Sequence, residues 1–142
     1  MTIAAILKTK GDAVVTLPPS ATVAGAVALL AEKSIGAAPV IEGDRVVGVF
    51  SERDVMHCLA ARGAAALQLA VGEVMTAPAR TVSPEESVIG ALSLMTQRRV
   101  RHLPVLDGER LVGFVSIGDL VKYRIDRIEQ EAEAMRSYIQ SA

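Results

Sequence analysis

Two copies of a Ser-x-x-Asp pattern, Ser51 with Asp54 and Ser116 with Asp119, hold the most specific chemistry in this sequence. Each Ser closes an apolar run and precedes a helical pattern, so each stands at a helix start. Free N–H groups and the positive dipole end make such a start a ready site for phosphate. The hydroxyl can donate to a phosphate oxygen, and the Asp one turn on can accept from the 2′- and 3′-hydroxyls of a ribose. The same residues also spell a capping box, which completes a helix start without any ligand. Basic residues gather ahead of the second copy only, as Arg98-Arg99-Val100-Arg101-His102, where the first copy has Ile35-Gly36-Ala37. Arg98 and Arg99 read as a solvated helix end whose charge complements the dipole. Lys8 and Lys10 stand beside Gly11, either as anion contacts or as solubilising loop lysines.

Other chemistries are poorly supplied. His57 and Cys58 are neighbours on a helical pattern, so their side chains point about 100° apart and form no dyad. The two His and one Cys cannot furnish a zinc set. A Gly-Lys-Ser/Thr string and a GxGxxG are both absent. Neither catalytic residues nor a metal are therefore expected, and the chain does not read as an enzyme. A net charge of -1 gives no footprint for nucleic acid. One cysteine excludes an internal disulfide and fits a reducing compartment, so a cytoplasmic location is expected. No apolar run reaches the roughly 18 residues of a spanning helix. The apolar start of the chain has no basic leader before it and reads as part of the fold.

The elements that must position these residues repeat. Residues 37–54 and 102–119 align without a gap: Pro39 on Pro104, Gly43 on Gly108, Gly48 on Gly113, Ser51 on Ser116. The offset is 65, that is 116 minus 51. A repeat of this kind governs every other assignment. In each copy a short apolar strand, a Gly-containing turn and a second strand lead to the Ser. Strands are expected over 37–41, 46–50, 102–106 and 111–115, with further short ones over 13–17 and 80–82. Thr2 is expected to cap a helix over 2–7, followed by a turn over 8–12. Thr22 should cap a helix to Lys33, Ser51 one to Ala61, and Ser83-Pro84 should open one to Gln97. The last helix begins near Ser116 and runs past Tyr138. Its stripe of Ile125, Ile128, Ala132, Met135 and Ile139 has no counterpart in the first copy, and it needs a partner surface. With 51% hydrophobic residues but 3% aromatic ones, the core must be aliphatic.

With its APV…GVFSERD and LPV…GFVSIGD strings, the chain resembles a tandem pair of CBS domains, a Bateman module. The resemblance spans about Val14 to Tyr123. It implies an α/β fold of two βαββα repeats about a pseudo-twofold axis, with the amphipathic C-terminal helix as an addition. The repeats would occupy residues 1–62 and 76–123, with a connector over 63–75 and a helical extension over 124–142. In such pairs, the backbone just before each Pro-Val holds an adenine edge, and basic side chains there reach the phosphates. Pockets mix the two halves. One would join Thr76, Pro78, Val100, Arg101 and His102 to Ser51, Arg53 and Asp54. The other would join Lys10, Gly11, Ala13, Ile35 and Ala37 to Ser116 and Asp119. The first carries more positive charge and is the better candidate for a phosphorylated ligand. The implied function is a regulatory sensor of adenine nucleotides, AMP first, then NAD(H), ADP or ATP. It would act through a homodimer or an unidentified target protein, with no membrane insertion. The alternative is a structural dimerisation module with vestigial pockets.

Overall fold

Two antiparallel hairpins, one from each copy, form the sheets of this computed structural model, which describes residues 1–11 and 13–141. In chain order, α1 (Ile3–Lys10) and α2 (Val23–Lys33) precede the hairpin of β1 (Ala37–Glu42) and β2 (Arg45–Ser51), then α3 (Glu52–Arg62). A 3-10 turn over Gly63–Gln68 and the short α4 (Val71–Val74) lead to α5 (Val88–Arg98). The hairpin of β3 (His102–Asp107) and β4 (Arg110–Ser116) follows, then α6 (Ile117–Ser141). The fold is mixed α/β, with two small sheets that meet through β2 and β4 and a long C-terminal helix. No described helix is long and apolar enough to cross a membrane.

The hairpins share one register. Ala37 opposes Ser51 as His102 opposes Ser116, and both ladders shift at the same place, Val40/Ile41 and Val105/Leu106. Both turns use a glycine in the left-handed region, Gly43 at φ 63 and Gly108 at φ 66, where a side chain would add strain.

The short strands expected over 13–17 and 80–82 are each reduced to a single parallel bridge, Leu17 to Val40 and Val82 to Val105. Proline explains this on both sides. Leu17 N–H donates to Pro39 O and Ile41 N–H to Leu17 O. The preceding rung would need an N–H from Pro39 and the following one an N–H from Pro19, and neither residue has one. Pro104 and Pro84 play the same parts around Val82.

Helix starts also differ. Thr2 makes no side-chain cap. The first N–H groups of α1 go instead to backbone carbonyls, Ile3 to Glu86 and Ala4 to Pro84. That engagement holds residues 84–86 out of a helix, so α5 begins at Val88 rather than Ser83, capped by Ser87 Oγ accepting from Gly90 N–H at 2.9 Å. The turn expected over 8–12 is largely helical, since α1 continues to Lys10. Asp12 lies outside the described residues. Thr22 caps α2 as expected, accepting from Gly25 N–H at 3.1 Å.

Each repeat has its own core, and the two exchange pieces. Ile3 and Ile6 of α1 are buried with Val88, Met95, Leu103 and Leu120 of the second repeat. Ala66 and Val71, which precede the second repeat in sequence, are buried with Val23, Val40 and Phe50 of the first. The cores are aliphatic except for Phe50, which is fully buried.

Candidate functional site

A cavity of about 270 Å³ opens where β2 and the start of α3 face the end of α5 and the start of β3. Ser51, Glu52 and Arg53 line it at the start of α3, together with Gly36 and Val49. Thr76, Ala79 and Arg80 come from the loop after α4, and Arg98, Arg99, Val100, Arg101 and His102 from the end of α5 and the start of β3. Six residues of the charge-rich pocket expected from sequence thus share one cavity: Ser51, Arg53, Thr76, Val100, Arg101 and His102. Pro78 is exposed in the adjoining loop and does not line it. Asp54 does not line it either; it lines a neighbouring cavity with His57, Cys58 and Glu73.

Hydrogen bonds explain the placement of Asp54. Thr76 is clamped on the β2 edge, exchanging backbone hydrogen bonds of 2.9 and 3.0 Å with Val49. Its hydroxyl donates to Asp54 Oδ1 at 2.8 Å. Asp54 Oδ2 accepts from Ser51 N–H at 2.9 Å and from Ser51 Oγ at 3.2 Å. Asp54 is 8% exposed, and its carboxylate takes three donors. An ionised carboxylate offers about four acceptor positions. A ribose hydroxyl could therefore use the remaining position or replace the Thr76 hydroxyl.

The basic wall is also built. Arg53 Nη1 donates to Arg99 O at 2.7 Å. Arg99 closes α5 in the left-handed region at φ 54, a conformation that costs a non-glycine residue roughly 1–2 kcal/mol. His102 stacks on Phe114, with ring centroids 5.6 Å apart. Burial pushes the His102 imidazole below its ordinary range, and the charge of Lys10 adds to this. Asp119 and Glu52 oppose the shift, and Arg101 adds slightly to it.

The second expected pocket comes together in part. Lys10 Nζ, at the end of α1, reaches Asp119 Oδ2 and Phe114 O, each at 2.6 Å. Ser116 N–H donates to Asp119 Oδ2 at 2.8 Å, and Asp119 N–H to Ser116 Oγ at 3.1 Å. Burial alone would raise the Asp119 carboxyl, but the hydrogen bonds from Lys10 and Ser116 and the Lys10 charge hold it below its ordinary range. The offset of 65 places Gly11 where the other site has Thr76. With no hydroxyl there, Asp119 takes its partner from Lys10. Gly11 and Ala13 are exposed nearby in sequence, Ala37 is buried opposite Ser51, and Ile35 lies in an apolar groove with Val27, Leu30 and Val55. No hydrogen bond or ion pair among the described residues links these four to Asp119.

Sequence reasoning did not place Gly36, Val49, Glu52, Ala79 or Arg80 on the cavity, and it read Arg98 and Arg99 as a solvated helix end. Both arginines are exposed, and both also line the cavity. The left-handed cap that turns Arg99 there leaves no signal in residue type. No cluster that could hold a metal ion occurs among the described residues.

Comparison with known proteins agrees with this architecture. The family model described as CBS domain matches residues 9–61 and 71–126. A CBS domain-containing protein of Arabidopsis thaliana, CBSX3, mitochondrial, is 32% identical over 98% of this chain and 72% of its own length. Among solved structures, the CBS-domain containing protein ATU1752 from Agrobacterium tumefaciens superposes with a TM-score of 0.85 at 36% identity, covering 87% of this chain and 99% of that one. CBSX2 in complex with AMP superposes with a TM-score of 0.70 at 28% identity, covering 80% and 88%.

Proposed function

The chain belongs to the CBS-domain family, and from that premise we propose that it is a regulatory module that binds an adenine nucleotide in the cavity between its repeats. The candidates are AMP, NAD(H), ADP and ATP, with AMP as the reference ligand because the related CBSX2 is in complex with it. Binding changes the module's conformation, its homodimer or its contact with a target protein, and the ligand leaves unaltered. A ligand moves such an equilibrium only by its differential affinity for the two states. The observation that carries the reading is the lining of one cavity by both repeats: Ser51 and Arg53 from one, Val100, Arg101 and His102 from the other. Ser51 Oγ and the Arg53 N–H suit a phosphate, since the Glu52 N–H already donates to Gly36 O and the Asp54 N–H to the Ser51 cap. The backbone around Val100 is suited to the adenine edge and Asp54 to ribose hydroxyls, with Asp119 in the same role at the second site.

A dimerisation module with vestigial pockets is the competing reading. It draws on Asp54 and Asp119 already being satisfied inside the chain. The arginines of the cavity favour a ligand, because a scaffold has no use for unpaired charge there. A thermal-shift panel of AMP, ADP, ATP, NAD, NADH and S-adenosylmethionine tests the two. A ligand that binds only the folded state stabilises it by about 2.7 kcal/mol at a hundredfold excess over Kd. No shift with any member of the panel would favour the scaffold.

A further inference from the structure

Arg53, Arg80, Arg98, Arg99 and Arg101 line the cavity, against one lining carboxylate, Glu52. Five positive charges and one negative leave a formal excess of four. Among the described residues, none of these guanidinium groups takes part in an ion pair; the three ion pairs lie elsewhere, at Lys10–Asp119, Arg127–Glu131 and Arg136–Glu133. Like charges held around one cavity repel, and each guanidinium is a fork suited to phosphate oxygens. A phosphate monoester carries roughly 1.5–2 negative charges at neutral pH. It would leave about half of this excess uncompensated. Each additional phosphate brings about one more charge and further acceptor oxygens. The end of α5 needs one cation at most to complement its dipole, yet Arg98 and Arg99 both face the cavity, and the Arg99 backbone is kept in a costly conformation with its carbonyl bonded to Arg53.

We infer that the occupant of this cavity carries a chain of two or more phosphates, and that Arg80, Arg98 and Arg99 select it over the monophosphate. This inference rests on reading the cavity as a nucleotide site. Arg101 and Arg53, next to His102 and Ser51, serve the phosphate nearest the nucleoside. Arg80, Arg98 and Arg99 serve the rest of the chain.

The test is calorimetric titration of the full chain with adenosine, AMP, ADP and ATP in magnesium-free buffer at fixed ionic strength. ADP or ATP should bind about tenfold or more tighter than AMP, the scale set by one added charge-assisted hydrogen bond. The variant R80A/R98A/R99G removes the second group of charges and keeps a residue that tolerates the left-handed cap. It should weaken ATP far more than AMP and bring the two affinities close together. Thermal melting checks that the variant folds, and Arg80→Ala alone should give part of the same loss. AMP binding as tightly as ADP and ATP, or a variant that keeps the wild-type ratio, overturns the inference and leaves the nucleotide reading standing. No binding by adenosine or any of the three nucleotides overturns both.

Discussion

At the residue scale, Lys10 acts on both ionisable groups whose titration is displaced. It bonds Asp119 at 2.6 Å, and its charge bears on His102. The two effects have opposite signs in stability. Asp119 has a lowered folded value, so its contribution is present above the unfolded value near 3.8 and is lost as pH falls through the folded one. His102 is also lowered, so the folded state resists protonation, and stability falls as pH drops below about 6.5 toward the folded value. Lys10→Met should therefore lower stability at pH 7, by no more than about 1 kcal/mol because the pair is partly exposed. That deficit should close below pH 4. The decline below 6.5 should become shallower, though burial of His102 keeps part of it. Groups facing His102 are Lys10 on α1, Asp119 on α6, Glu52 on α3 and its neighbour Arg101. Urea unfolding at intervals from pH 3 to 8 would check both limbs, and parallel wild-type and variant curves would show that Lys10 acts on neither group. In the site itself, Arg101→Ala should weaken AMP by about 1.5–3 kcal/mol and barely affect adenosine. Equal losses by calorimetry would mean that Arg101 holds the base or the fold.

At the scale of elements, the two halves of the repeat are alike in backbone and unlike in what presses on them. A Cβ on Gly48 would lie 2.8 Å from Thr76 O, which is fixed by its bond to Val49 N–H, and 2.6 Å from Met75 Sδ. A Cβ on Gly113 would meet only the end of Leu7, whose side chain can rotate away. Gly48→Ala should cost about 1–3 kcal/mol, the usual scale of overpacking, and should push Thr76 off the β2 edge. Gly113→Ala should cost less. Chemical denaturation ranks the pair, and equal costs would mean that the Thr76 strand edge yields as easily as a leucine. The hairpins, the Thr22 cap and the span of α6 were legible in the sequence because strand alternation, Gly turns and helical stripes are local signals. The lost strands over 13–17 and 80–82 were legible only by half, because Pro19 and Pro84 are local but the other missing donors, Pro39 and Pro104, lie on the opposite strand. The late start of α5 depends on Pro84 and Glu86 carbonyls being taken by α1, contacts 80 and 83 residues apart in sequence.

At the scale of the whole molecule, the site followed the same division. The repeat and its resemblance brought Ser51, Arg53, Thr76, Val100, Arg101 and His102 to one cavity, whereas Arg80 joins it on a loop and Arg98 and Arg99 through the left-handed end of α5, which no local pattern encodes. The helix α6 raises the remaining question, because its outer half leaves the body of the fold. Ile125, Ile128, Met135 and Ile139 are 48–65% exposed, and Ala132 between them is exposed too. Beside the stripe, Arg127 pairs with Glu131 at 3.7 Å and Arg136 with Glu133 at 3.0 Å. A contiguous apolar stripe on a projecting helix is a surface that soluble monomers avoid. A second copy of the chain is the occupant that fits best, since an isologous contact buries one stripe against its twin and covers both with a single sequence. The alternating charges would lie at the rim, where they orient the contact more than they strengthen it. Ile128→Glu with Met135→Glu would put carboxylates into that seam and should convert a dimer to monomers. The folded core should be untouched, because both side chains are already largely in water. Sedimentation velocity on wild type and variant decides the matter, with circular dichroism confirming that α6 remains helical. A monomeric wild type, or a dimer that survives the double substitution, would mean that another surface joins the chains or that none does.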